Sequence, residues 1–223
     1  MYNTPKIIRK PYGRQRENHR YRGMYFFFLL AGLLITGAGL YRQSATVLEA
    51  AGILAVFAFA YFLPVLPFKN KKRLRDFGWL KITVLATVWT TATSILPMLY
   101  WQKSMLIYPF EVLLRFVFIF TLCVVFDIRD MQADLRNNIR TLPHKMGIKN
   151  SYLLIDISLA LFTGLSIVQY YRHPIAGRLA GAVITAIVTW LVVKYLEKHP
   201  SSRAYLLLAD GVMLFYALLV FLL

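Results

Sequence analysis

Residues 105–126 read MLIYPFEVLLRFVFIFTLCVVF, and residues 127–147, which follow directly, read DIRDMQADLRNNIRTLPHKMG. The first stretch is long and apolar enough to cross a bilayer as one helix, which takes about 20 residues. The second opens with three carboxylates, Asp127, Asp130 and Asp134. In hydrocarbon every backbone polar group must find an internal partner, so a lone apolar run of this length crosses as a helix. The stretch therefore predicts an all-α, polytopic transmembrane bundle with charged chemistry at one end.

Working outward, six more stretches have the same character. The expected spans are Met24 to Tyr41, Ala45 to Phe68, Trp79 to Trp101, Met105 to Phe126, Ser151 to Tyr170, Ile175 to Leu196 and Ala204 to Leu223. Tyr41, Tyr100, Trp101, Tyr170 and Tyr171 mark their ends, as interfacial aromatic residues do. Hydrophobic residues make up 58% of the 223-residue chain and charged residues 16%. A soluble domain carries about 25% charged residues, and a soluble fold of this size could not hide so much apolar surface.

The formal net charge is +16. Basic chains often bind nucleic acid, but no nucleic-acid fold suits a chain this apolar, so no nucleic-acid partner is expected. The cations lie between the apolar runs instead. The N-terminal segment and the loops after spans two, four and six hold 21 of the 26 Lys and Arg residues. This bias places a basic N-terminal segment, residues 1–23, and the acid-rich loop, residues 127–150, in the cytoplasm, and the C-terminus outside. Residues 24–223 form the transmembrane domain. The N-terminal apolar run is too long for a signal peptide and lacks a cleavage site. A bacterial or archaeal cell membrane is the expected location. Cys123, the single cysteine, cannot form an intrachain disulfide; inside a span it is expected to serve packing.

Several polar residues fall within or near the spans: Glu49, Glu111, Arg115, Asp156 and Asp210. Such groups are costly in lipid and face a bundle interior or an interface. Glu111 and Arg115 are four apart and are expected to pair on one helix face. His144, His173 and His199 have no ligand spacing and are expected to be solvent-exposed loop residues. Pro64, Pro97 and Pro109 interrupt spans, as a transporter's broken helices would, although prolines are common in membrane helices.

Asp127, Asp130 and Asp134 recur at i, i+3 and i+7, which puts them on one face if the helix of span four continues. Three like charges on one face repel unless a cation sits among them. Carboxylates holding Mg²⁺ beside a substrate phosphate are one solution. Arg129, Arg136, Arg140 and Lys145 interleave or follow them and suit phosphate oxygens. A solvated juxtamembrane helix, in which Asp and Arg simply pair, fits the same spacing.

The stretch resembles the acid-rich loop of the UbiA-type intramembrane prenyltransferases. That motif has the form Asp/Asn-x-x-Asp-x-x-x-Asp, then Gly, then Thr-Leu-Pro, then Gly. Asp127, Asp130, Asp134, Thr141-Leu142-Pro143 and Gly147 match it over about 20 residues, and Asn138 replaces the first Gly. A weaker echo runs from Tyr61 through Lys69 and Arg73 to Gly78-Trp79-Leu80-Lys81. The resemblance implies a transferase that moves a prenyl group from a polyprenyl diphosphate to a lipophilic, aromatic acceptor with Mg²⁺, among membrane lipids. It implies that Asp130 and Asp134 are catalytic and, with Asp127, hold the metal. It implies that Arg129, Arg136, Lys145, Lys69, Arg73 and Asn3 bind the diphosphate.

This chain departs from the family in length. The family has nine spans, and counted back from the acid-rich loop the first two are missing here, as expected of an N-terminally short or divergent member. The first family motif, Asn-x-x-x-Asp-x-x-x-Asp, falls near residues 1–15, where Asn3 matches but the acids read Ile7 and Pro11. The alternative function is therefore a catalytically degenerate relative that binds an isoprenoid or anionic lipid without turning it over.

Overall fold

The computed structural model describes residues 19–62, 78–103, 109–136, 139 and 141–222. Eight helices are described: α1 (His19–Tyr41), α2 (Ala45–Phe62), α3 (Gly78–Tyr100), α4 (Pro109–Arg136), α5 (Leu142–Met146), α6 (Ile148–Arg172), α7 (Ala176–Lys198) and α8 (Tyr205–Leu222). No strand occurs among the described residues. Helices α3, α4, α6, α7 and α8 are long and apolar enough to cross a membrane, and Phe26–Tyr41 and Ala45–Tyr61 are shorter apolar helices. Five of the seven expected spans thus coincide with helices long and apolar enough to cross a membrane and two with shorter apolar helices, in an all-α architecture compatible with a multi-pass membrane protein.

The chain forms two compact units, residues 1–44 and 45–223. Within the first, α1 presents Phe26, Phe27, Phe28 and Leu34 outward, and Thr36 Oγ1 donates back to the Gly32 carbonyl at 2.8 Å. The second unit is a helical bundle, described from here on.

Helix α4 is its centre. Half of its most apolar window is buried within the protein, against 22% for α3 and α8. It packs against α3 on one side and α6 on the other, α6 packs on α7, and α7 on α8. Large apolar side chains face outward along the whole bundle, among them Ile53, Trp190, Leu207, Leu214 and Phe221. Such a continuous apolar exterior suits lipid rather than water. The interior is finer-grained. Thr121, Ser166, Thr185 and Thr189 are buried, and each donates its hydroxyl to the carbonyl four residues before it, at 2.6–2.8 Å. A hydroxyl satisfied on its own helix behaves as a small side chain, and small side chains let membrane helices approach closely.

The prolines do less than their positions suggest. Pro97 does not end its helix. It sits just after a π-helical turn, Thr91–Ile95. Proline lacks the N–H and crowds the carbonyl four residues back, and the wider turn accommodates both effects. Pro109 opens α4, where a missing N–H costs nothing. Pro64 lies outside the described residues.

Two expectations are corrected. Glu111 and Arg115 do not pair with each other. Glu111 Oε1 instead accepts from Gln169 Nε2 of α6 at 2.7 Å and from Arg178 Nη1 of α7 at 2.8 Å, while the Arg115 guanidinium lies 4.8 Å from the centre of the Tyr216 ring of α8. An i,i+4 pair contributes only about 0.2–0.5 kcal/mol, so two inter-helix donors prevail. His144 is not an exposed loop residue: it is half-buried on α5, with its Nδ1 buried and unpartnered. His173 and His199 are exposed as expected. Cys123 is free and buried in the core.

Phe118, Phe162 and Tyr216 join α4, α6 and α8, with ring centres 4.8–5.7 Å apart. Phe162→Ala is expected to destabilise the bundle by about 2 kcal/mol or more. The cost should fall below the ~3–5 kcal/mol of a water-soluble core, because the released side chain stays in hydrocarbon. The lipid-facing Leu207→Ala should be nearly neutral. Unfolding titrations of both variants in mixed micelles check the contrast.

Candidate functional site

The carboxylates of the acid-rich stretch sit on the last turns of α4, which continues past Phe126 to Arg136. The helix persists because nothing from Asp127 to Arg136 breaks it, and Arg129, Met131, Gln132 and Ala133 between the acids are good helix formers. The stretch expected as a loop is thus helical over its first half. After Arg136, the backbone N–H of Ile139 bonds the Asp134 carbonyl at 2.9 Å. The short α5 follows, begun by Thr141 and Pro143, the latter within its first turn. Gly147 then separates α5 from α6 with φ +83°, a conformation that glycine adopts without the strain a side chain would bring. The Thr-Leu-Pro and Gly elements therefore have a local structural role: they fold the chain back from the end of α4 onto α6.

At this end one cation organises two acids. Lys81 Nζ, from the first turn of α3, lies 2.9 Å from Asp127 Oδ1 and 2.7 Å from Asp134 Oδ2. All three side chains are largely removed from solvent, at 15%, 4% and 15% exposure. Asp127 and Asp134 are seven residues apart, two turns of one helix, so a single ammonium can span them. The third acid stands apart. Asp130 takes both of its hydrogen bonds from its neighbour Arg129, Nε to Oδ1 at 2.7 Å and Nη2 to Oδ2 at 2.9 Å. That guanidinium also lies 4.9 Å from the Phe126 ring centre and within electrostatic range of Asp210 and Tyr205.

Three polar atoms here are buried without a hydrogen-bond partner: Asp127 Oδ2, Thr141 Oγ1 and His144 Nδ1. Unmet buried polar groups each cost free energy and mark a place that a ligand or water can satisfy. Among the described residues, no three His, Cys, Asp or Glu side chains converge as metal ligands. Two carboxylates, one with a spare oxygen, remain a donor set that suits Mg²⁺ when phosphate oxygens complete the shell.

The structure thus brings Lys81, Asp127 and Asp134 together, with Asp130 and Arg129 as a separate pair beside them. Arg136 and Lys145 are exposed, Arg136 donating to the Gln132 carbonyl at 3.3 Å, and neither forms an ion pair with the three acids. Asn3, Lys69 and Arg73 lie outside the described residues. Asp156 is paired elsewhere, with Lys194 at 3.4 Å, and Glu49 and Asp210 are exposed. Lys81 is the residue that sequence patterning does not single out, since it counts there among the loop cations. Two sequence signals touch it: it ends the weaker echo Gly78-Trp79-Leu80-Lys81, and it stands inside the apolar run that begins at Trp79.

Compared with protein-family models, curated proteins and solved structures, the chain matches none.

Removing Lys81 would leave two buried carboxylates facing each other without a counter-charge. Lys81→Met is expected to destabilise the bundle by about 3–5 kcal/mol, and adding Asp127→Asn and Asp134→Asn to it should restore most of that loss. Thermal unfolding of the single and triple variants in one detergent measures both.

Proposed function

We propose that the chain is a membrane prenyltransferase-like protein whose acid-rich end, on the cytoplasmic side, binds the diphosphate of a polyprenyl donor. One observation carries this: the carboxylate-bearing turns of α4 emerge directly from the centre of an apolar bundle, and Asp127 Oδ2, Thr141 Oγ1 and His144 Nδ1 are left unmet there. The motif Asp127, Asp130, Asp134, Thr141-Leu142-Pro143 and Gly147, which resembles that of UbiA-type enzymes, supports the same assignment.

In this reaction the C–O bond of the donor breaks and diphosphate leaves with the electron pair. The acceptor carbon forms the new bond and releases a proton. Mg²⁺, held by Asp127 and Asp134 and by phosphate oxygens, would supply charge neutralisation for the leaving group. Lys81 and Arg129 bring positive charge to the same end, Arg129 as a planar donor suited to phosphate. Asp130 orients the Arg129 guanidinium through two hydrogen bonds. The apolar surroundings hold the prenyl tail and exclude water.

A second reading has its own observation. The Lys81 ammonium already stands between Asp127 and Asp134, so the repulsion between the two acids is relieved without a metal. The chain would then bind an isoprenoid or an anionic lipid without catalysis.

Binding of a labelled prenyl diphosphate in nanodiscs, with and without Mg²⁺, separates the two. On the transferase reading, wild type binds only with Mg²⁺, and Asp130→Ala/Asp134→Ala loses about tenfold or more, the scale of lost charge-assisted contacts. Metal-independent binding, equal in both proteins, supports the second reading. No binding by a folded wild type overturns both.

A further inference from the structure

A groove of about 320 Å³ runs between α2 and α3. Ala50, Ile53 and Phe57 line it from α2, and Thr83, Thr87 and Thr91 from α3. It starts beside the acid-rich end. Thr83 is two residues past Lys81 and Thr91 ten residues past it, about 15 Å along the helix axis toward the middle of the bundle. Val84 and Val88 line the groove as well. They follow Lys81 at i+3 and i+7, a spacing that puts all three on one face of α3. The groove therefore opens on the helix face whose first turn carries the cation paired with Asp127 and Asp134.

The lining suits a thin apolar chain. Among the described residues no charged side chain contributes to it. Its polar groups are threonine hydroxyls, and two of these are spent on their own helix. Thr83 Oγ1 donates to the Trp79 carbonyl at 3.3 Å, and Thr87 Oγ1 to the Thr83 carbonyl at 2.8 Å. A threonine tied back in this way meets its neighbours as a small side chain. In a membrane an apolar chain gains nothing merely by leaving lipid, so a groove of this kind selects by fit. Its lining extends about 12 Å along α3, from Thr83 to Thr91. That is longer than one isoprene unit and matches an extended chain of several.

We infer that this groove seats the prenyl tail of a diphosphate bound at the acid-rich end, and so selects donors by chain length. The inference rests on the reading of that end as a diphosphate site, with or without turnover. The first unit of the tail lies by Thr83 and Val84, and later units lie by Thr87 and Thr91. A tail of one unit leaves most of the groove unused.

Binding of farnesyl diphosphate and of dimethylallyl diphosphate to the full chain, in nanodiscs with Mg²⁺, tests it. After correction for partition into empty nanodiscs, wild type is expected to bind the farnesyl compound about tenfold tighter or more. Thr87→Phe fills the groove from an exposed position, clear of the core, and Ala50→Phe fills it from α2. Each should remove most of the preference and leave dimethylallyl diphosphate binding unchanged. Leu207→Phe, on the outward face of α8, should keep the preference. A farnesyl diphosphate with a photoreactive group at its tail should label α2 and α3, and excess inorganic diphosphate should suppress that labelling. The same preference in wild type and both filled variants overturns the inference, as does labelling confined to other helices. Labelling of α2 and α3 that inorganic diphosphate leaves unchanged also overturns it, because the groove would then take any lipid tail. Binding of both compounds without a farnesyl preference sinks this inference alone. Binding of neither by a folded wild type sinks the diphosphate reading and the inference with it.

Discussion

The ammonium of Lys81 is the point on which the acid-rich end depends. Two carboxylates two turns apart on one buried helix cannot face a second helix unaided, since charges in a low-dielectric interior repel strongly. Lys81 reaches both from the first turn of α3, and α3 closes against α4 beside it through Ile82, Ala86, Cys123 and Val124. Ion pairing and apolar packing are thus neighbours at one helix contact. A buried pair of this kind is weak evidence for stability, but it ties the register: sliding α3 by one turn would strand both acids.

The two ends of α4 solve the same problem differently. At Asp127 and Asp134 the excess is negative, and a cation from another helix answers it. At Glu111 and Arg115 the excess is positive. There the single carboxylate is shared by Gln169 and Arg178, and Arg115 is left with an aromatic face. Between these ends lie Phe118, Leu122 and Phe162 with no charged group among them. The bundle therefore has an apolar middle and two polar ends of opposite character.

The hydroxyl groups of the interior fit this economy. Thr121, Thr185 and Thr189 are almost fully buried, yet each turns its hydroxyl to its own helix. The hydrogen bonds that cross between helices are kept for the charged mouths. Two buried threonines break that habit, Thr90 within α3 and Thr141 at the acid-rich mouth, and the hydroxyl of neither has a partner.

The sequence by itself determined the class of fold. Runs of about 20 apolar residues leave the backbone no choice but helix, so the apolar segments from Met24 to Leu222 were legible in order and number. It also determined that Asp127, Asp130 and Asp134 share a helix face, because a 3.6-residue period is a local property. The tertiary structure decided which charges meet. Lys81 and Asp134 are 53 residues apart, and Glu111 and Arg178 are 67 apart. No local spacing encodes such pairs; they follow from how α3, α6 and α7 are placed around α4. The same reason explains why Arg115 turns to Tyr216 rather than to the acid one turn before it: local pairing is worth a few tenths of a kcal/mol, and the neighbouring helices offer more.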